Sequence, residues 1–175
     1  GAIGNGGQRM RPHLVREIDA QGHEVAVHGF AHRPVYAMTP DQFCDDVVRA
    51  LDAVQDALGK RVLGFRAPYF SITRRSQWAL PLLAELGLVY DASVYPCHPV
   101  FYRFPGWDGW SDAPRHPHVL RFDGSTMYEV PTTTIQVLGL RLPLAGGAFL
   151  RFLPLRFFRR TMQDANAQGY PAILY

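Results

Sequence analysis

The chain has 175 residues, 47% of them hydrophobic and 19% charged, with a formal net charge of +3. That length suits one domain with a sizeable core, and the composition is that of an ordinary soluble globular chain. No run of eighteen apolar residues predicts a membrane span, and Cys44 and Cys97 give neither a metal-ribbon spacing nor a disulfide framework. The mild basic excess is almost all arginine. Its one cluster, Arg151, Arg156, Arg159 and Arg160, reads as a solvated helix face, and a nucleic-acid surface would need a denser patch. The opening "GAIGNGGQRM" lacks the apolar core of a signal peptide, and the compartment stays open.

In chain order, "RPHLVREIDAQG" places Leu14, Val15 and Ile18 at helical spacing, with Gly22 as the stop. "HEVAVH" reads as a short buried strand from Glu24 to His28. "TPDQFCDDVVRALDAVQDALG" is the clearest helix. Thr39 is its N-cap, Pro40 its first residue and Gly59 its end, and Phe43, Val47, Val48, Leu51, Val54 and Leu58 form an apolar stripe. "RVLGFRAP" reads as a second buried strand, "RRSQWALPLLAELG" as a third helix with Pro81 near its start, and "LVYDASVYP" as a third strand. Residues 97–126 are rich in proline, glycine and aromatics without a period, which predicts a long irregular loop. "TMYEVPTTTIQVLG" resumes β character, "LPLRFFRRTMQDANAQG" is a last helix, and "PAILY" begins a final strand. Helices alternating with strands predict an α/β fold with a parallel sheet and helices outside it.

The chemistry-bearing residues fall at strand ends. His28 and His32, in "HGFAH", are spaced so that both imidazoles can reach one metal ion. With seven histidines in the chain, that spacing alone is weak, and a hydrogen-bonded His28 beside a surface His32 is the plain alternative. Position adds weight. His28 ends the first strand, Arg66 the second and Asp91 the third, and the carboxyl ends of parallel strands are where α/β folds build sites. Taken singly, Arg66 could serve a structural ion pair and Asp91 a turn.

"HGFAHRPVYAMTPDQF", "GFRAPYFSI", "YDASVYP" and the terminal "PAILY" resemble, in order, the motifs of the polysaccharide deacetylase family, the NodB-homology or family-four carbohydrate esterases. Within it the chain looks most like the deacetylases of exosortase and exopolysaccharide loci, in which a run like "GGAFLRFLP" follows the middle strands. The resemblance covers roughly Arg11 to Tyr175 and implies an incomplete, distorted (β/α) barrel, one partial domain over residues 1–175. It implies a divalent metal, usually zinc, held by His28 and His32. It makes Arg66 the residue that orients a catalytic carboxylate, and the Pro68–Tyr69 turn the donor of an oxyanion-stabilising backbone N–H. Asp91, Tyr95 and Pro96 then line the groove. Two elements of the family pattern are absent. No aspartate-rich strand precedes Arg11, and no histidine follows Tyr175, so the general base and general acid are not in this chain. The expectation is a chain cut at both ends, with little or no activity by itself.

What the resemblance implies is hydrolysis of N-acetyl groups on a hexosamine-containing polysaccharide. The competing reading is a non-catalytic carbohydrate-binding relative, with Phe101, Tyr102, Phe104, Trp107 and Trp110 as a sugar platform. Most of those aromatics are equally read as packing. Glu129 and Arg151 lie near the middle strands and are expected to be structural, and His13, His23, His116 and His118 to be surface residues.

Overall fold

The computed structural model describes residues 11–102, 104–144, 149, 151 and 154–175. Among these residues the helices and strands follow in the order α1 Pro12–Ala20, α2 Pro40–Leu58, β1 Gly64–Phe65, α3 Ala79–Glu85, β2 Tyr90–Asp91, β3 His118–Phe122, β4 Ser125–Glu129, β5 Thr134–Val137, β6 Leu140–Pro143 and α4 Leu155–Ala167. One sheet has the strand order β1-β2-β4-β3, and β5 and β6 form a separate hairpin. The pairs β1–β2 and β2–β4 are parallel, and β3 runs antiparallel on the edge. The strands do not close into a barrel among the described residues.

α2 begins where the sequence predicts. Thr39 accepts a hydrogen bond from Gln42 N–H while the Gln42 side chain accepts from Thr39 N–H, a reciprocal capping box. Gly59 closes the helix with φ 68°, a left-handed conformation that a Cβ would strain. Phe43, Val47, Ala50, Leu51, Val54 and Ala57 are buried against the main core with Val27, Phe65, Leu80, Leu83 and Met127. Each large side chain there contributes about 1.5–3 kcal/mol by leaving water. α1 lies beside α2, and Arg16 Nε donates to Ala57 O at 2.8 Å.

Several expectations are corrected. The run from Glu24 to His28 is not a full strand. Only Val27 pairs, in one parallel bridge with Phe65, where Val27 N–H donates to Gly64 O and Arg66 N–H to Val27 O. The predicted loop over 97–126 contains β3, whose residues alternate between half-buried and exposed as expected of an edge strand. The β region after Thr126 divides into β4 and β5, which belong to different sheets. "PAILY" forms no strand among the described residues. Its Ile173 donates its N–H to Thr133 Oγ1 at 2.7 Å and accepts from Thr133 N–H at 3.4 Å. The third helix is shorter than its sequence pattern: a 3₁₀ turn at Arg74–Ser76 precedes α3, and Pro81 sits in the first turn, where no intrahelical N–H is needed.

Candidate active site

Val27, β1, β2 and β4 run in the same direction. Their carboxyl ends therefore bring His28, Arg66, Ala92 and Val130 to one rim, with Ala92 N–H bonded to Phe65 O and Val130 N–H to Asp91 O. His28 Nδ1 lies 2.5 Å from Arg66 O. A carbonyl can only accept, so Nδ1 carries the proton and the Nε2 lone pair is left for another partner. Burial pushes the His28 pKa down, which keeps the ring neutral. The His32 ring stands 5.0 Å from His28, edge to face at 74°, and 4.9 Å from Tyr69 at 73°. Tyr69 in turn stacks on Phe104 at 4.0 Å.

The backbone here is unusual. His32, Tyr69 and Phe70 have φ of 53°, 59° and 49°. They make up three of the four non-glycine residues with positive φ among the described residues. Such conformations cost about 1–3 kcal/mol each and concentrate at functional sites. The "HGFAH" turn is held by Asp46 on α2, which accepts from Phe30 N–H and Ala31 N–H, both at 2.8 Å. Arg49, one turn further along α2, lies 4.1 Å above the Phe30 ring. Gly29 has φ 71°, and a Cβ there would meet Asp46 Oδ2 at 2.8 Å, so glycine is required twice over. On the other turn, Ser71 Oγ donates to Pro68 O at 2.5 Å and accepts from Val35 N–H at 2.9 Å, tying "RAPYF" to the segment after His32.

Arg66 is half-buried. Its Nε donates to Ala92 O at 3.0 Å, its guanidinium carbon lies 5.8 Å from the Phe70 ring and 5.9 Å from that of Tyr175, and it forms no ion pair among the described residues. Asp91 and Tyr95 lie beneath this surface. Asp91 is fully buried and accepts from Ser93 N–H at 3.0 Å and from Ser93 Oγ at 2.5 Å. Ser93 Oγ also accepts from Ala67 N–H at 2.7 Å. Across the β2–β4 register Asp91 faces Glu129, also fully buried, whose Oε1 accepts from Val94 N–H at 3.1 Å. Two buried carboxyls side by side cannot both ionise. Burial pushes the pKa of both carboxyls up, and at Glu129 the neighbouring Asp91 charge adds to the rise, so the pair retains a proton; the Ser93 donors work against the rise at Asp91. Tyr95 is 3% exposed and packs on Phe70 at 4.8 Å.

The structure places His28, His32, Arg66, Pro68 and Tyr69 near one another. The sequence reading misses Asp46 and Ser93 and leaves the partner of Glu129 unnamed. Arg151 is exposed. Trp107 is buried, with Nε1 donating to Phe70 O at 2.8 Å, and Tyr102 packs on it at 4.8 Å, so these two aromatics pack the interior. Most of the run "GGAFLRFLP" lies outside the described residues. Also among the described residues, no three His, Cys, Asp or Glu side chains gather as a metal-binding group, no helix is long and apolar enough to cross a membrane, and Cys44 and Cys97 are free thiols.

A mostly parallel α/β sheet with histidines and an arginine at the carboxyl ends of its parallel strands defines the class: an α/β protein with a rim-built polar site. The comparisons make this specific. The polysaccharide deacetylase family model matches residues 2–90, just over half of the chain, and the chain belongs to that family. A family described only as a domain of unknown function matches residues 92–175. A peptidoglycan deacetylase of Helicobacter pylori is 32% identical over 94 residues, 54% of this chain and 31% of the relative. A peptidoglycan deacetylase-like protein, FGM2, of Gibberella zeae is 31% identical over 83 residues, 47% of this chain and 24% of the relative. The chain thus matches less than a third of the length of these curated relatives. A crystal structure from Mycobacterium smegmatis, provisionally named a polysaccharide deacetylase, superposes with TM-score 0.60 at 22% identity, covering 93% of this chain and 52% of the other. Puue allantoinase superposes with TM-score 0.56 at 21% identity, covering 94% of this chain and 48% of the other. These two likenesses establish the fold alone.

Proposed function

We propose that this chain forms part of a metal-dependent deacetylase that removes N-acetyl groups from a hexosamine-containing polysaccharide. The observation that carries the reading is the His28–Arg66 contact. It fixes the tautomer that leaves Nε2 free, on a ring that burial keeps neutral, beside a second histidine ring at 5.0 Å. Neutral imidazoles with the second nitrogen bonded to a carbonyl suit a borderline divalent ion such as zinc. His28 and His32 would be two of its protein ligands. A divalent ion held there supplies Lewis acidity toward water and an amide carbonyl.

The chain's own residues have separate tasks in this reading. Arg66, pinned through Nε and without a carboxylate partner among the described residues, orients the carboxylate that takes a proton from water. The left-handed turn at Pro68–Tyr69 presents the Tyr69 N–H to the developing oxyanion. Asp46 and Ser71 hold the two turns in register. Asp91 supports the rim from below through Ser93 and Ala67. Asp46 and Asp91 are committed to internal hydrogen bonds and Glu129 is sealed from the surface, so we assign neither the base nor the acid to them and expect little turnover from the chain alone. We read residues 1–175 as one partial domain, because the sheet joins β1 and β2 to β4 and β3 across the boundary between the two family matches.

The test is acetate release from N-acetylglucosamine oligomers by a protein carrying this segment within a whole deacetylase domain. His32→Ala and Arg66→Ala are each expected to lower the rate at least a hundredfold. An unchanged rate in either removes that residue from its role.

A further inference from the structure

A cavity of about 210 Å³ opens between the inner face of α4, the connection after β4 and residues 115–117. It shares no lining residue with the candidate active site, and its walls are mostly polar. Arg115 is anchored there. Its Nε donates to Thr134 Oγ1 at 3.2 Å, one Nη to Thr134 O at 2.6 Å and the other to Gln136 Oε1 at 3.4 Å. All three acceptors are uncharged, and Arg115 forms no ion pair among the described residues. Burial and the neighbouring Arg141 work against its charge. A half-buried guanidinium with no counter-charge is costly, which points to an anion from outside. Across the cavity Thr161 is 7% exposed and forms part of the wall, and its Oγ1 is sealed beneath the surface with no hydrogen-bond partner among the described residues. His116, stacked on Tyr170 at 4.4 Å and 15°, forms a flat wall. Asp164 and Gln168 line the remainder, and Asp164 is 3.9 Å from Arg160 in an exposed pair.

We propose that this cavity is a binding site for one acidic sugar unit, its carboxylate on Arg115 and its hydroxyls on Gln168 and Asp164. The volume is below the roughly 300 Å³ at which drug-sized pockets begin, which suits one ring and not a chain. A bare anion would use Arg115 but leave Asp164 facing like charge, whereas a polyhydroxylated ring uses both donors and acceptors. A role for the site in choosing glycans rests on the proposed deacetylase function. The site itself does not.

The test is calorimetric titration of this chain with D-glucuronate, D-glucose and inorganic phosphate. Glucuronate is expected to bind at least tenfold tighter than either of the others. Arg115→Gln should weaken it at least tenfold and Gln168→Ala at least threefold, with His28→Ala unchanged. Gln168 is exposed near the end of α4, so Gln168→Ala keeps the test decisive if Arg115→Gln fails to fold. Absence of glucuronate binding, or affinity unaltered by Gln168→Ala, overturns the site. Phosphate binding as tightly as glucuronate overturns the sugar assignment. Loss of binding in His28→Ala would place the ligand at the rim instead. An inactive deacetylase with intact glucuronate binding would count against the proposed function alone.

Discussion

Asp46→Asn isolates the clamp on the histidine turn. The carboxylate accepts two backbone hydrogen bonds at 2.8 Å, from Phe30 and Ala31, and is 9% exposed. Hydrogen bonds to a charged group are worth about 1.5–3 kcal/mol each. Asparagine keeps one acceptor, loses the charge, and turns an NH₂ group toward an N–H. The expected loss is therefore about 2–4 kcal/mol, from one bond forfeited and the other weakened. Against a total stability of about 5–15 kcal/mol, the fold survives. Urea denaturation should show the loss as a lower midpoint with an unchanged slope. Because the clamp sets the spacing of His28 and His32, zinc affinity should also fall about 10–100-fold, the usual effect of losing a partner that orients metal ligands. An Asp46→Asn protein with the wild-type midpoint and wild-type zinc affinity would refute the reasoning.

Three further outcomes follow from the same geometry. Gly29→Ala should destabilise more than a typical glycine substitution, because it combines a positive φ with a 2.8 Å approach to Asp46 Oδ2; an unfolding midpoint equal to wild type would contradict this. Thr39→Ala, which removes the N-cap of α2, should cost about 1 kcal/mol in the same assay, and no loss would show that the capping box does not hold the helix. The folded Asp91–Glu129 pair retains a proton that an unfolded glutamate releases near pH 4.5, so its contribution is fully present below that pH and declines as pH rises toward the raised folded value. Glu129→Gln, which mimics the protonated form, should therefore gain stability relative to wild type between pH 5 and pH 8, and a constant difference across that range would show that Glu129 is not protonated in the fold.

α2 is legible from sequence because its signals are local. Thr39, Pro40 and Gly59 mark its ends, and the apolar stripe marks its buried face. The meeting of His28 and Arg66 is legible because each follows an apolar run and parallel pairing brings such positions together, whereas Asp91 falls one residue short of the rim and lies buried beneath it. The Asp46 clamp is not legible, because its acceptors reach backbone N–H groups fifteen and sixteen residues away and leave no side-chain pattern. The Asp91–Glu129 pair depends on the register of strands 38 residues apart, which no local signal sets. β3 is hidden because proline-rich sequence precedes it and both faces of its short run are partly exposed. The strand expected over Glu24–His28 shrinks to one bridge because Val27 has a described backbone partner on one side only.

The central claim is that His28 and His32 jointly bind a divalent metal. Isothermal titration of zinc into this chain, into His28→Ala and into His32→Ala tests it most directly. The account predicts one zinc per chain, with affinity at least tenfold lower in either variant and circular dichroism unchanged. Equal zinc affinity in all three proteins would contradict it.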